Sequence, residues 1–257
     1  MRLLTLFFII TTCTFTYSFS QTRTNNAYTK GEKLKYRIHY GFLTGGYAEI
    51  EVKNQNFFIN NRQCHQLVIW GYTVGITDWV YKVKDRYESF VDEKTLLPLK
   101  HIRDVSESSY KRHDEVFFDY EKDTIYSKLH GRFPLKYETH DIVSAFFNAR
   151  CIGFENAKKG DTLILQTFFD DKIFPFGMIF LGKDVISTDA GEFRCLKIRP
   201  LVQTGRVFKS KDDMTFWITD DKNHIPVLVQ TELLVGSLKV DLTSYSGIRN
   251  ELSRVGD

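Results

Sequence analysis

The sequence predicts an all-β fold: a large, curved antiparallel sheet, barrel or half-barrel, with one clear α-helix. Three observations predict it. Most of the chain beyond residue 30 alternates apolar and polar residues, the period of two that sets one face of a strand against a core. Turn residues punctuate the alternating runs, as at Gly45-Gly46, Asn60-Asn61 and residues 220–223. Only residues 141–151 carry a clear helical spacing. A flat sheet of about a dozen strands would expose long edges, so it should curl.

The first 20 residues read as a cleavable export signal. Arg2 is the positive start, Leu3 to Ile10 is an apolar run too short to span a membrane, and Ser18 and Ser20 are the small residues before a cut between Ser20 and Gln21. Cys13 follows Thr11 and Thr12, a poor context for lipid attachment. Residues 21–30 form a polar lead-in, and 31–250 are expected to be a single β-rich domain. No later stretch is apolar for long enough to be a transmembrane helix, so the exported chain is expected to be soluble or attached by other means.

Within that domain Leu34, Tyr36, Ile38 and Tyr40 alternate with Lys35, Arg37 and His39 in a first strand. Ala48, Ile50 and Val52 mark a second, and CHQLVIWG from Cys64 a third. Val80 to Val91 and Leu97 to Val105 continue the pattern, with Pro98 at a strand start where its missing N–H matters least. Two hairpins follow. A turn at Glu107-Ser108 would set Arg103 opposite Arg112 and His101 opposite Asp114; one at Glu121-Lys122 would set Glu115 opposite Lys128 and His113 opposite His130. The helix has Thr139 or Asp141 as its cap, a stripe of Ile142, Ala145, Phe146 and Ala149, and Gly153 as its stop. Strands resume from Thr162, and Gly236-Ser237 has the form of a two-residue hairpin turn.

Thirty-five basic against 32 acidic residues is too even for a nucleic-acid groove. There is no nucleophile elbow, zincin run, phosphate loop or dinucleotide fingerprint, so the common hydrolase and nucleotide-binding classes lose their support. No cofactor is expected. Cys64, Cys151 and Cys195 form no CxxC pair; two could bond in an oxidising compartment, but free thiols buried in strands are preferred. The doublets Asp170-Asp171, Asp212-Asp213 and Asp220-Asp221 sit where strands meet turns, the usual place for Asp.

Two candidate sites emerge. In the hairpin register above, His113 and His130 with Glu115 would share one face and could hold zinc or another divalent ion; the rival reading is a solvent-facing polar row of Lys111, His113 and Glu115. The densest aromatic stretch, FFDDKIFPFGMIF from Phe168 to Phe180, is awkward as a regular strand because of Pro175 and Gly177. As a lid over a cavity, it would offer Phe174, Phe176, Met178 and Phe180 to a lipid or lipoprotein-like ligand; as core, it would be a kinked buried strand pair. The leading expectation is therefore a non-enzymatic envelope protein that binds an apolar or amphiphilic ligand or an envelope partner. An envelope hydrolase acting on a glycan or ester, and an interaction scaffold, are the alternatives.

Four segments, GEKLKYRIHYGFLTGGYAEIEV, DIVSAFFNAR, FLGKDVISTDAGEFRCLKIRP and FWITDDKNHIPVLVQTELLVGSLKVDLTSY, occur in the order found in an exported bacterial family, domain of unknown function 3108. The chain resembles that family from about Gly31 to Gly247. The resemblance implies export in Gram-negative bacteria and a β-rich fold, and it carries over no catalytic residue. More loosely, a curved sheet with a helix on its concave side is similar to the periplasmic lipoprotein carriers.

Overall fold

The computed structural model describes residues 24–256 apart from 137, 153, 155, 156, 202–213 and 234. The chain opens with strands β1 (Lys33–Tyr40), β2 (Leu43–Val52), β3 (Phe57–Ile59) and β4 (Arg62–Thr73), then a six-residue helix α1 (Gly75–Val80). Strands β5 (Lys84–Asp92), β6 (Pro98–Glu107), β7 (Tyr110–Asp119), β8 (Thr124–Ser127) and β9 (Gly131–Pro134) lead to the short β10 (Thr139–His140) and helix α2 (Ile142–Arg150). The second half runs through β11 (Thr162–Phe169), β12 (Lys172–Thr188), β13 (Gly191–Leu201), β14 (Met214–Thr219), β15 (Pro226–Glu232) and β16 (Ser237–Ser246).

All sixteen strands join one sheet, in the order β10-β11-β12-β13-β14-β15-β16-β1-β2-β4-β5-β6-β7-β8-β9, with β3 attached to β4. The last strand pairs with the first, Leu34 opposite Tyr245, so β1 and β16 are the seam between two wings. The outer strands β9 and β10 share no ladder, and the sheet stays open. Its two edges nonetheless meet through side chains. Val116, Phe118, Ile125 and Leu135 of the first wing bury themselves with Phe168 of the second, and the Tyr120 hydroxyl donates to the Thr139 carbonyl at 2.9 Å. The result is a rolled sheet with an oily interior, as the alternation requires. At Gly46, on the β2–β4 pairing, any side-chain carbon would collide with the Tyr72 carbonyl oxygen, so the residue is small because the backbones approach closely.

Helix α2 fills the interior. Val143 and Phe147 pack with Val52, Leu67 and Val91 of the first wing, while Ala145 and Ala149 pack with Leu165, Met178 and Leu196 of the second. The expected stripe of Ile142, Ala145, Phe146 and Ala149 is therefore too narrow. Apolar surface surrounds the helix, and Val143 and Phe147 lie deeper than Ile142 and Phe146. Asp141 is the cap: its carboxylate accepts from the Val143 and Ser144 amides at 2.9 and 3.0 Å. Gly153, the expected stop, lies outside the described residues.

Four other details differ from expectation. The described residues form sixteen strands, not about a dozen, and α1 precedes β5 where a strand was expected from Val80. The β6–β7 turn centres on Ser108 and Ser109, which pairs Arg103 with Asp114 and His101 with Val116. Moving the turn by one residue moves each partner by two, so faces are preserved while partners change. Between β15 and β16 the link is four residues, Glu232 pairing with Ser237 and Leu233 N–H donating to Gly236 at 3.0 Å. The stretch from Phe168 to Phe180 forms a regular hairpin of β11 with β12; its Asp170-Asp171 turn has left-handed φ of 47° and 63°. Asp220-Asp221 also lies in a turn, and Asp212-Asp213 falls outside the described residues. Cys64, Cys151 and Cys195 are free thiols.

Candidate functional site

The interior is not filled everywhere. Between the C-terminal half of α2 and strands β12, β13 and β14 a cavity of about 60 Å³ remains. Phe146 and Ala149 of the helix form one wall, Phe176, Met178, Ile198, Phe216 and Ile218 of the sheet the other, and Phe154, Arg150, His224 and Pro226 complete it. Even positions on β12 supply Phe176 and Met178 because residues two apart share a face. Phe180 belongs to the same buried cluster without lining the cavity, and Phe174 is half-buried opposite Thr167. Two of the four candidate ligand contacts thus border the cavity.

The two basic residues at its edge are occupied. Arg150 holds Glu32 through two bonds of 2.7 and 3.0 Å, donates Nε–H to the Asn223 carbonyl at 2.9 Å, and lies over the Tyr28 and Phe147 rings. His224 Nδ1 is 2.7 Å from the Arg150 carbonyl oxygen. Glu32 and Arg150 are both buried, 118 residues apart in sequence. Their charges cancel inside the protein, and what remains facing the cavity is hydrocarbon and aromatic ring. Such a lining attracts apolar matter.

A second, larger pocket of about 420 Å³ lies beside the N-terminal segment, and is polar and open. Tyr28, Lys30, His65, Glu93, Lys94 and Arg249 line it, and Lys30 pairs with Glu93 at 2.7 Å. Burial lowers the pKa of His65, with Glu93 pulling in the opposite direction, so the imidazole is the neutral form near pH 7.

The metal set of His113, His130 and Glu115 is not assembled. The β7–β8 register is as expected, and Glu115 meets Lys128 at 2.8 Å; but β8 ends at Ser127, and the chain turns before His130 reaches His113. His113 instead faces Asp104 at 3.9 Å from an exposed position. Glu115 bonds Lys100 and Lys128, which pull its carboxyl down to about 2. His130 swings to Asp171 at 2.8 Å, giving Asp114, His130 and Asp171 metal-like spacing, their ligand atoms within 4.8 Å of one another. Arginines occupy those carboxylates: Arg112 lies 3.6 Å from Asp114 and 3.8 Å from Asp171, while Arg103 and Arg112 share Asp170 at 2.5 and 3.2 Å. The cluster is an ion-pair clamp that fastens the β11–β12 turn to β6 and β7, where the edges of the roll meet.

Neither Glu32, Arg150 nor His224 was legible as part of a site, since no local spacing links them. Ile198, Phe216 and Ile218 were legible only as inward positions of alternating strands.

An open antiparallel sheet, rolled around one buried helix with an apolar hollow beside it, defines a β-barrel-like protein. The chain belongs to the family described as Protein of unknown function (DUF3108), whose model matches residues 35–243. Among solved structures it is similar to a beta-barrel-like protein of domain of unknown function DUF1849 from Brucella abortus, with a TM-score of 0.58 and 10% identity over 86% of this chain and 98% of that one. At that identity the likeness shows the fold alone. A provisionally assigned lipoprotein from Parabacteroides distasonis aligns at TM-score 0.36 and 13% identity over 88% and 99% of the two chains. A provisionally assigned exported protein with a YmcC-like fold from Bacteroides fragilis aligns at 0.31 and 12% over 86% and 97%. No curated protein matches the sequence.

Proposed function

We propose that this chain is a non-enzymatic protein of the bacterial envelope that takes an apolar or amphiphilic ligand, an acyl chain being the simplest, into the hollow between α2 and β12–β14. One observation carries the reading: the hollow's walls are hydrocarbon and aromatic, while the one full charge at its edge, Arg150, is already neutralised by Glu32. Pockets for drug-sized molecules measure roughly 300–1,000 Å³. At about 60 Å³ the hollow is a closed form that must widen, and Met178, an unbranched side chain with adaptable rotamers, is suited to yield. Residues 31–250 act as one unit in this reading, and the export-signal pattern of residues 1–20 supports the location.

The test is lipid capture. Delipidated protein is incubated with bacterial membranes, repurified and examined by native mass spectrometry beside Ala149→Leu, which pushes extra carbon into the hollow. Adducts of lipid mass on the wild type, reduced at least severalfold in the variant, are expected. Wild-type protein that emerges bare, or equal adducts on both proteins, would overturn the proposal.

A further inference from the structure

The two ends of the rolled sheet differ in chemistry. Because neighbouring strands run antiparallel, the β1–β2, β4–β5, β6–β7 and β15–β16 links all lie at one end. Their large apolar side chains stand in solvent. Phe42 is fully exposed, Trp79 86%, Val235 77%, Val80 69% and Ile76 63%. No residue of α1 is buried, although its sequence is GITDWV. The opposite end is built of polar turns at Asn60-Asn61, Glu93-Lys94, Glu121–Asp123 and Asp220–Asn223, where, among the described residues, Phe58 and Val255 are exposed large apolar ones.

The apolar tips form one continuous rim. The Tyr40 hydroxyl donates to the Val235 carbonyl at 2.8 Å, Val74 N–H to Gly45 at 3.0 Å, and Ser108 N–H to Lys82 at 2.6 Å, so each link is tied to the next. Residues 40–46 and 233–238 contain no charge. Around α1 and the β6–β7 turn the charges facing outward are basic: Lys82, Lys84 and Lys111 are exposed. The acids there are half-buried and engaged, Asp78 accepting from Thr73 at 3.0 Å and Glu107 from Tyr81 at 3.5 Å. Glu232, Asp104 on β6 and Asp170 in the β11–β12 turn are exposed exceptions, Asp170 being paired with Arg103 and Arg112.

We infer that this rim docks the protein on an anionic lipid bilayer. Separate tips that project from four turns offer knobs, and a fluid acyl layer accepts knobs without needing matching pockets. Trp, Tyr and Phe are the side chains favoured at the boundary between headgroup and hydrocarbon, and exposed lysines beside them meet lipid phosphates. Phe42 and Trp79 would enter the acyl layer, and Lys82, Lys84 and Lys111 would stay with the headgroups. The inference uses residues outside the hollow, so it and the proposed ligand binding can fail separately.

The experiment is co-sedimentation with vesicles of phosphatidylethanolamine and phosphatidylglycerol, read beside Phe42→Ser, Trp79→Ser, the double variant, and Phe58→Ser from the opposite end. Losing one large buried side chain corresponds to roughly a tenfold weakening, and losing both to roughly a hundredfold. Wild-type binding, lost in the double variant, kept in Phe58→Ser and weakened by salt or by replacing phosphatidylglycerol with phosphatidylcholine, supports the rim. No wild-type binding, or equal binding by the correctly folded double variant, overturns it. So does self-association that sediments without vesicles and disappears in the double variant, because the rim would then serve a second copy of the chain.

Discussion

Replacing Glu32 by Gln keeps shape and volume but leaves the Arg150 guanidinium inside the protein without a counter-charge. Glu32 and Arg150 are 0% and 2% exposed, so solvent cannot screen the loss. The guanidinium exchanges two charge-assisted bonds of 2.7 and 3.0 Å for one to the neutral Gln amide oxygen, faces the Gln NH2 with its other N–H, and keeps the Asn223 carbonyl. Breaking a buried pair from one side costs about 3–5 kcal/mol. With a urea slope near 3 kcal/mol per M, the unfolding midpoint should fall by about 1–1.7 M. Tryptophan fluorescence and far-UV circular dichroism in urea measure it. The double variant Glu32→Leu with Arg150→Met should be no less stable than Glu32→Gln: it removes both charges and orphans only the Asn223 carbonyl, at about 1–3 kcal/mol. A midpoint shift for Glu32→Gln below about 0.3 M would refute the reasoning, because the pair would have to be hydrated or loosely held.

Other expectations follow from the same structure. Asp141→Ala removes the cap of α2 and the acceptor of the Ser89 hydroxyl at 2.6 Å, and should lower stability by about 2 kcal/mol or more; equal urea midpoints would contradict this. Burial, with help from Asp92, pushes the Cys64 thiol up to about 11, and burial with Asp184 pushes Cys195 up to about 12. Both should resist a thiol reagent at pH 8 until the protein unfolds, and rapid labelling of the native protein would count against the burial. Glu115 is held at about 2 by Lys100 and Lys128, below its ordinary 4.5. A depressed carboxyl stabilises the fold above its unfolded pKa, and the contribution fades as pH falls from about 4.5 toward 2. Glu115→Gln should therefore be less stable than wild type at pH 6, with the gap shrinking at pH 2.5; a gap independent of pH would refute the linkage.

The legible parts of the fold were those governed by neighbours in sequence. Alternation located the strands because burial repeats every second residue, and Asn60-Asn61 and Asp170-Asp171 announced their turns because both tolerate left-handed φ. The β6–β7 partners were missed because three polar residues in a row, Glu107, Ser108 and Ser109, can each begin a turn, and only the paired strands decide which does. The metal set failed through strand length. Ser127 bonds Asp114 at 3.1 and 3.0 Å and the chain turns there, a stop that alternation does not mark. Phe176 and Met178 were reachable as inward positions of an aromatic run, whereas Glu32 and Arg150 meet only after both wings have rolled around α2. The exposed rim was illegible for the opposite reason: no spacing sets Ile76, Trp79 and Val80 apart from buried apolar residues, and only the fold shows them exposed.

Brominated fatty acid diffused into crystals of the protein addresses the apolar hollow most directly, since anomalous scattering reports the bromine's position without interpretation of weak density. A peak enclosed by Phe176, Met178, Ile198 and Phe216, with the α2 side of the hollow widened, is the result expected. Full soaking with no bromine there, or bromine confined to the outer surface, would contradict ligand binding inside the roll.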